Sequence, residues 1–80
     1  MAKDKSVTII VNTRPKEWDK ETISYEEVVA LAFGTPDPNT IYTVDFSNGP
    51  HGRPEGTLIK NQHVRVVEGM VFNVTPTNKS

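Results

Sequence analysis

One stretch limits what this chain can fold into. "ISYEEVVALAFG", residues 23–34, predicts a helix with both of its ends marked. Ser24 is placed to cap the first turn, and Glu27 three residues on completes a capping box, in which each side chain satisfies the other residue's free amide. Ile23 before the cap and Val28 after it form the matching hydrophobic staple. Tyr25, Val28, Val29 and Ala32 follow the i, i+3, i+4, i+7 stripe of a helix with one buried face. Gly34 can take a left-handed closing conformation, and Pro36 and Pro38 forbid continuation. One short helix of about ten residues therefore needs a sheet to pack on, since a helix of that length is marginal alone.

The flanking segments supply that sheet, because they alternate with the period of two that a half-buried strand requires. "SVTIIVN" places Val7, Ile9 and Val11 on one face and Thr8 and Ile10 on the other. "TRPK" predicts a turn at Pro15, and "EWDKE" a returning edge strand whose Glu17, Asp19 and Glu21 form a charged ladder against unwanted pairing. "NTIYTVDFS" turns Tyr42, Val44 and Phe46 one way and Ile41, Thr43 and Asp45 the other. "NGPHGRPEG" is a loop, and "TLI" a short strand. Beyond it, Val64 and Val66 alternate with Arg65, and past Glu68-Gly69 the residues Met70, Phe72 and Val74 alternate with Val71 and Asn73. The last strand is expected to stop before Pro76.

The order is hairpin, helix, strand, short strand, strand. A helix serving as a crossover allows the first and last strands to lie parallel in the middle of the sheet. The arrangement that uses it is the α+β, ubiquitin-like β-grasp, a mixed sheet of four to five strands wrapped on one helix. A ferredoxin-like or other small α+β sheet is the alternative that pattern leaves open. At 80 residues there is room for a single core. The expected division is a disordered start over residues 1–5, a domain over 6–76 and a flexible tail over 77–80.

Composition removes several functions. The net charge of −1 gives no general attraction to phosphate backbones or anionic membranes, so neither nucleic acid nor membrane is expected as a partner. The absence of cysteine removes disulfides, thiolate nucleophiles and the commonest zinc ligands. No apolar run approaches the roughly 18 residues of a membrane span, and "MAKDKS" lacks the apolar stretch of a signal peptide, which predicts a cytoplasmic protein.

"VTIIVNTRPKEW", "ISYEEVVALAFG", "NTIYTV", "PEGTL" and "VRVVEGMVFNVTPT", in that order and spacing, resemble the bacterial multi-ubiquitin domain family, whose members are ubiquitin-like β-grasp domains. The likeness runs from about Ser6 to Thr77. It implies a protein modifier that is the substrate of ubiquitin-activating-like and conjugating-like enzymes and of a metal-dependent deconjugating peptidase. The C-terminal carboxylate, at Ser80, would be adenylated, carried and joined to a nucleophile of a target protein. Ubiquitin-type modifiers end in Gly-Gly, because a tail without Cβ atoms threads easily into an enzyme channel. Here the tail is Pro76-Thr77-Asn78-Lys79-Ser80, and the nearest upstream glycine is Gly69. Trimming back to Gly69 would delete Phe72 and Val74, so a diglycine end cannot be made within this chain. That departure favours an alternative, a ubiquitin-like interaction module bound through its sheet face and never conjugated. It also counts against a sulfur carrier, which needs the same glycine end.

The remaining candidates read as ordinary surface. His51 lies in a Gly/Pro loop and His63 just before a strand, without metal-ligand spacing, so no metal or cofactor is expected. "NGPHGRPEG" does not join a strand to a helix and is no phosphate cradle. Glu17, Asp19 and Glu21 on a solvated edge are not an acid–base pair, and Trp18 is expected to pack at the hairpin's margin. With no nucleophile, base and oxyanion site to assemble, no catalytic residue is assigned and an enzyme is not expected. The outward sheet face carries the binding expectation. Ile10, Ile41 and Val71 are predicted to form an apolar patch rimmed by Thr8, Thr43 and Arg65.

Overall fold

The computed structural model describes residues 6–35 and 39–77. Pro36, Pro38, residues 1–5 and residues 78–80 lie outside them, as do the expectations placed there. The elements run β1 (Val7–Val11), β2 (Arg14–Trp18), β3 (Thr22–Ser24), α1 (Tyr25–Phe33), β4 (Ile41–Ser47), β5 (Gly56–Leu58), β6 (His63–Arg65) and β7 (Val71–Thr77). Five strands form one mixed sheet in the order β2-β1-β7-β4-β5. β1 and β7 are parallel neighbours, and the other pairs in this sheet are antiparallel. With α1 as the crossover, this is the ubiquitin-like β-grasp.

α1 forms where its signals lie. The Glu27 N–H donates to Ser24 Oγ at 3.1 Å, and the Ser24 N–H donates to Glu27 Oε1 at 2.9 Å. Ile23 and Val28 are both fully buried, and Tyr25 and Val29 lie in the same core. The helix ends differently from the expected left-handed closure. Gly34 has φ 78° and ψ −81°, its N–H donates to the Ala30 carbonyl, and the Thr35 N–H donates to the Phe33 carbonyl at 2.9 Å. That is a γ-turn, strained for any residue with a Cβ, and it accounts for glycine there.

The alternation of the strands sorts inside from outside. Ile9, Val11, Val44, Phe46, Leu58, Met70, Phe72 and Val74 are buried against the helix, with Phe72 the largest side chain fully enclosed. Burial of each such side chain contributes about 1.5–3 kcal/mol. Among the described residues, the buried set contains no polar or charged residue.

Three local expectations need correction. The hairpin turns at Asn12 and Thr13, with φ 52° and 69°, rather than at Pro15. Two consecutive positive φ values match the twist of a two-residue hairpin, and asparagine tolerates that conformation well. β2 is therefore Arg14–Trp18; Asp19 and Glu21 fall in the connection that follows, and the charged ladder is not formed. Second, Thr22–Ser24 is an additional strand, paired with β6 in a separate two-stranded sheet. Third, β7 does not stop before Pro76 but continues through it, with Tyr42 opposite Pro76 and Ile41 opposite Thr77.

Both strand prolines are admitted for one reason. The Ile10 N–H donates to the Met70 carbonyl, so Ile10 directs its backbone groups toward β7. Its partner Pro15 therefore turns its nitrogen to the open edge of β2. On β7, the carbonyls of Met70 and Phe72 accept from β1, and Val74 faces the same side. By that alternation Pro76 presents its nitrogen to the free margin beyond β1. A proline costs no ladder hydrogen bond at an edge.

Candidate functional site

The structure separates the residues expected on the outward face. Ile10 and Val71 are direct cross-strand partners, both half-buried. Ile41 is not beside them. Val71 pairs with Ser47, and Ile41 lies six positions along β4, about 20 Å away at ~3.4 Å per residue. Between them the face is polar: Asp45 opposes Asn73, Thr43 opposes Thr75, and Thr57 Oγ1 donates to Asp45 Oδ1 at 3.1 Å. Arg65 belongs to β6 in the small second sheet, so it does not rim this face. The contiguous apolar patch is thus reduced to the Ile10–Val71 pair. Ser80, expected as the reactive terminus, lies outside the described residues.

The end of the sheet nearest the tail is built as a two-stranded ribbon, since β4 and β7 pair over their full lengths while β1 and β5 stop short. Each margin of the ribbon is closed by a side chain. On the β1 side, Asn12 Oδ1 accepts from the Val74 N–H at 2.8 Å and Nδ2 donates to the Val74 carbonyl at 3.2 Å. On the other, the Tyr25 hydroxyl donates to the Tyr42 carbonyl at 3.0 Å and accepts from the Tyr42 N–H at 3.3 Å. The backbone groups of Val74 and Tyr42, which would otherwise be open to a passing strand, are thereby used.

Exposed apolar side chains gather at this ribbon rather than at the sheet centre. Ile41 is 58% exposed and Ile59 56%, and both line a hollow of about 400 Å³ with Tyr25, Tyr42 and Lys60. Phe33, 42% exposed, stacks obliquely on Tyr42 with ring centroids 5.2 Å apart. Sequence reasoning placed Ile41 correctly as outward but missed Phe33 and Ile59. Phe33 falls outside the helix's buried stripe, which was the one available signal.

Several charged groups are engaged in structure. Glu17 accepts from Thr8 Oγ1 at 3.0 Å and from Ser6 Oγ at 3.2 Å, and Glu68 accepts from the Thr8 N–H at 3.1 Å. The Glu27 carboxyl is held below its ordinary value: its partial burial would raise it, but the Ser24 N–H and Lys20 together outweigh that. Trp18 packs at the core's margin, as expected, and its Nε1–H donates to the Thr22 carbonyl at 2.9 Å. His51 and His63 are both exposed, and no group of three His, Asp or Glu able to hold a metal occurs among the described residues.

A second hollow, of about 480 Å³, is lined by Pro50, His51, Gly52, Arg53, Arg65 and Val67. The loop before β5 forms its wall, closed by the Gly49 N–H donating to the Pro54 carbonyl and the Arg53 N–H donating to the Pro50 carbonyl, both at 2.8 Å. A Cβ on Gly49 would lie 2.7 Å from the Arg53 carbonyl oxygen, so this loop closes only around glycine.

No curated protein and no solved structure gives a significant match to the chain. The model of the family described as multiubiquitin does match, over residues 7–78, from the first residue of β1 to just past the last of β7. With the β-grasp in place over that same span, the chain belongs to the multiubiquitin family.

Proposed function

We propose that the chain is a ubiquitin-like protein modifier and not an enzyme, the substrate of activating and conjugating enzymes that join its C-terminal carboxylate to a target protein. The match of the whole folded unit to a ubiquitin-like family carries this reading. The geometry is compatible with it. β7 is the middle strand of the sheet, and its last paired residue, Thr77, is held opposite Ile41 in a ribbon that Asn12 and Tyr25 brace at Val74 and Tyr42. Whatever follows Thr77 departs from a fixed point, beside the exposed Ile41. A rigid platform next to a terminus lets an enzyme bind the body of the domain and position the carboxylate.

In this reading ATP adenylates the carboxylate of Ser80 with release of pyrophosphate, and a nucleophile of the carrier or target displaces AMP. A deconjugating peptidase would reverse the attachment. The experiment is intact-mass spectrometry after incubation with candidate activating and carrier enzymes and ATP, beside a variant lacking Lys79 and Ser80. An ATP-dependent adduct that disappears on truncation is the expected result. No gain in mass by either form, while binding to those enzymes persists, would replace this reading with the interaction module. The Ile10–Val71 pair on the outward face is the observation that favours that second reading.

A further inference from the structure

The hollow between the β4–β5 loop and β6 is distinguished by its charge. Two of its six lining residues are arginines and one is a histidine; none is acidic. Neither guanidinium forms an ion pair among the described residues, where the only salt bridge joins Lys20 to Glu27. Arg53 is nevertheless held in place, its guanidinium carbon 5.5 Å from the centre of the Phe46 ring and its backbone fixed by the Pro50 turn. Arg65 is set by the pairing of β6 with Thr22 on β3. The loop is also tied down at its start, where Asn48 Nδ2 donates to the Gly69 carbonyl at 3.2 Å. Two cationic forks on anchored backbones, facing one concavity without a counter-charge in its lining, make a preorganised anion-binding surface.

We propose that this groove receives an acidic segment of a partner protein, with side-chain carboxylates paired to Arg53 and Arg65. Charge complementarity identifies the occupant, and the rest of the lining narrows it. Pro50 and Val67 are half-buried apolar walls, which suit the aliphatic part of a peptide rather than a phosphate backbone. The chain's net charge of −1 opposes long-range attraction of a nucleic acid, so recognition has to be local. Arg65 also borders a separate hollow that contains Asp19 and Glu21. These carboxylates would repel an acidic segment that strayed from the groove, which fixes the direction of approach.

The binding needs neither ATP nor a free C-terminus, so it can fail while the conjugation experiment succeeds, and the reverse. The test is a titration of isotope-labelled protein, followed by amide NMR, with a synthetic peptide of alternating glutamate and valine. Its glutamine–valine counterpart is the control. The glutamate peptide is expected to shift Gly52, Arg53, Arg65 and Val67, and the control to leave them unmoved. Arg65→Glu and Arg53→Gln, each confirmed folded by its own amide spectrum, should weaken binding by at least about fivefold, and high salt should do the same. The proposal is overturned by shifts confined elsewhere, by unchanged affinity in the folded Arg65→Glu variant, or by an RNA oligonucleotide binding the same residues more tightly than the peptide.

Discussion

The side chain of Asn12 serves both backbone groups of Val74, donating to its carbonyl and accepting from its N–H. A carboxamide presents an NH2 donor beside a carbonyl acceptor, as a peptide edge does, so Asn12 continues the β1 ladder past the point where the chain turns away. Among the described residues, no other strand flanks Val74 on that side. Asn12→Gly keeps the positive φ at this position while removing the amide, and should cost about 1–2 kcal/mol. Hydrogen exchange at Val74 should accelerate, with Val7 and Thr8 unaffected at the other end of β1. Unchanged exchange at Val74 would mean the side chain does not hold the strand.

Tyr25 closes the opposite margin, joining the first turn of α1 to β4 through Tyr42. Tyr25→Phe removes one hydroxyl and two hydrogen bonds without altering the ring that packs in the core. The expected loss is about 1–2 kcal/mol in chemical denaturation, with the fold retained. Faster exchange at Tyr42 would assign the loss to this contact.

Pro15 and Pro76 both place a nitrogen without a hydrogen on an open margin. Pro15→Val and Pro76→Val supply the missing donors and a residue that favours strands. Sedimentation of the double variant should show concentration-dependent association that the parent lacks. A strictly monomeric double variant, if the parent is monomeric, would show that these edges are protected by something else.

The Ser24–Glu27 box makes the helix start sensitive to acid. The folded Glu27 pKa is lowered from 4.5, so the charged carboxylate is favoured by folding. Its contribution is present above the unfolded value and is lost as pH falls through the lowered folded value. Glu27→Gln should therefore flatten that acid limb in thermal melts recorded across pH. Ser24→Ala should cost about 1 kcal/mol at neutral pH. An acid limb unchanged by Glu27→Gln would place the titration in another carboxylate.

Gly49→Ala introduces a Cβ against the Arg53 carbonyl. The loop must open to accept it, with a destabilisation of about 1–3 kcal/mol. Amide shifts should concentrate in residues 48–54 and at Gly69, whose carbonyl Asn48 holds. Shifts spread evenly over the sheet would instead indicate a global change.

The helix and the two faces of each long strand were legible because their signals are local and agree with one another. Ser24, Glu27, Ile23 and Val28 lie within one turn of each other, and the period-two runs of β1, β4 and β7 assign each side chain to a face before any partner is known. The hairpin was misplaced because Pro15 is a strong turn former by composition, whereas the turn depends on whether Asn12 and Thr13 can both take positive φ. β3 escaped notice because Ile23 and Ser24 were already assigned to the helix start, as staple and cap. The candidate site was less legible still. Ile10, Ile41 and Val71 share an outward direction, but their distances depend on register, which the antiparallel pairing of β4 with β7 sets.

By itself the sequence determined the helix, its cap and the inward and outward sets of each strand, because those depend on neighbours a few residues apart. Pattern alone left the β-grasp open against a ferredoxin-like sheet, and the family resemblance favoured it. Only the tertiary structure decided which edge each proline faces, that Asn12 and Tyr25 close the ribbon at Val74 and Tyr42, and that Arg53 and Arg65 line one groove. These are relations between residues distant in the chain. Their geometry is fixed by strand register and loop closure, and no local periodicity encodes it.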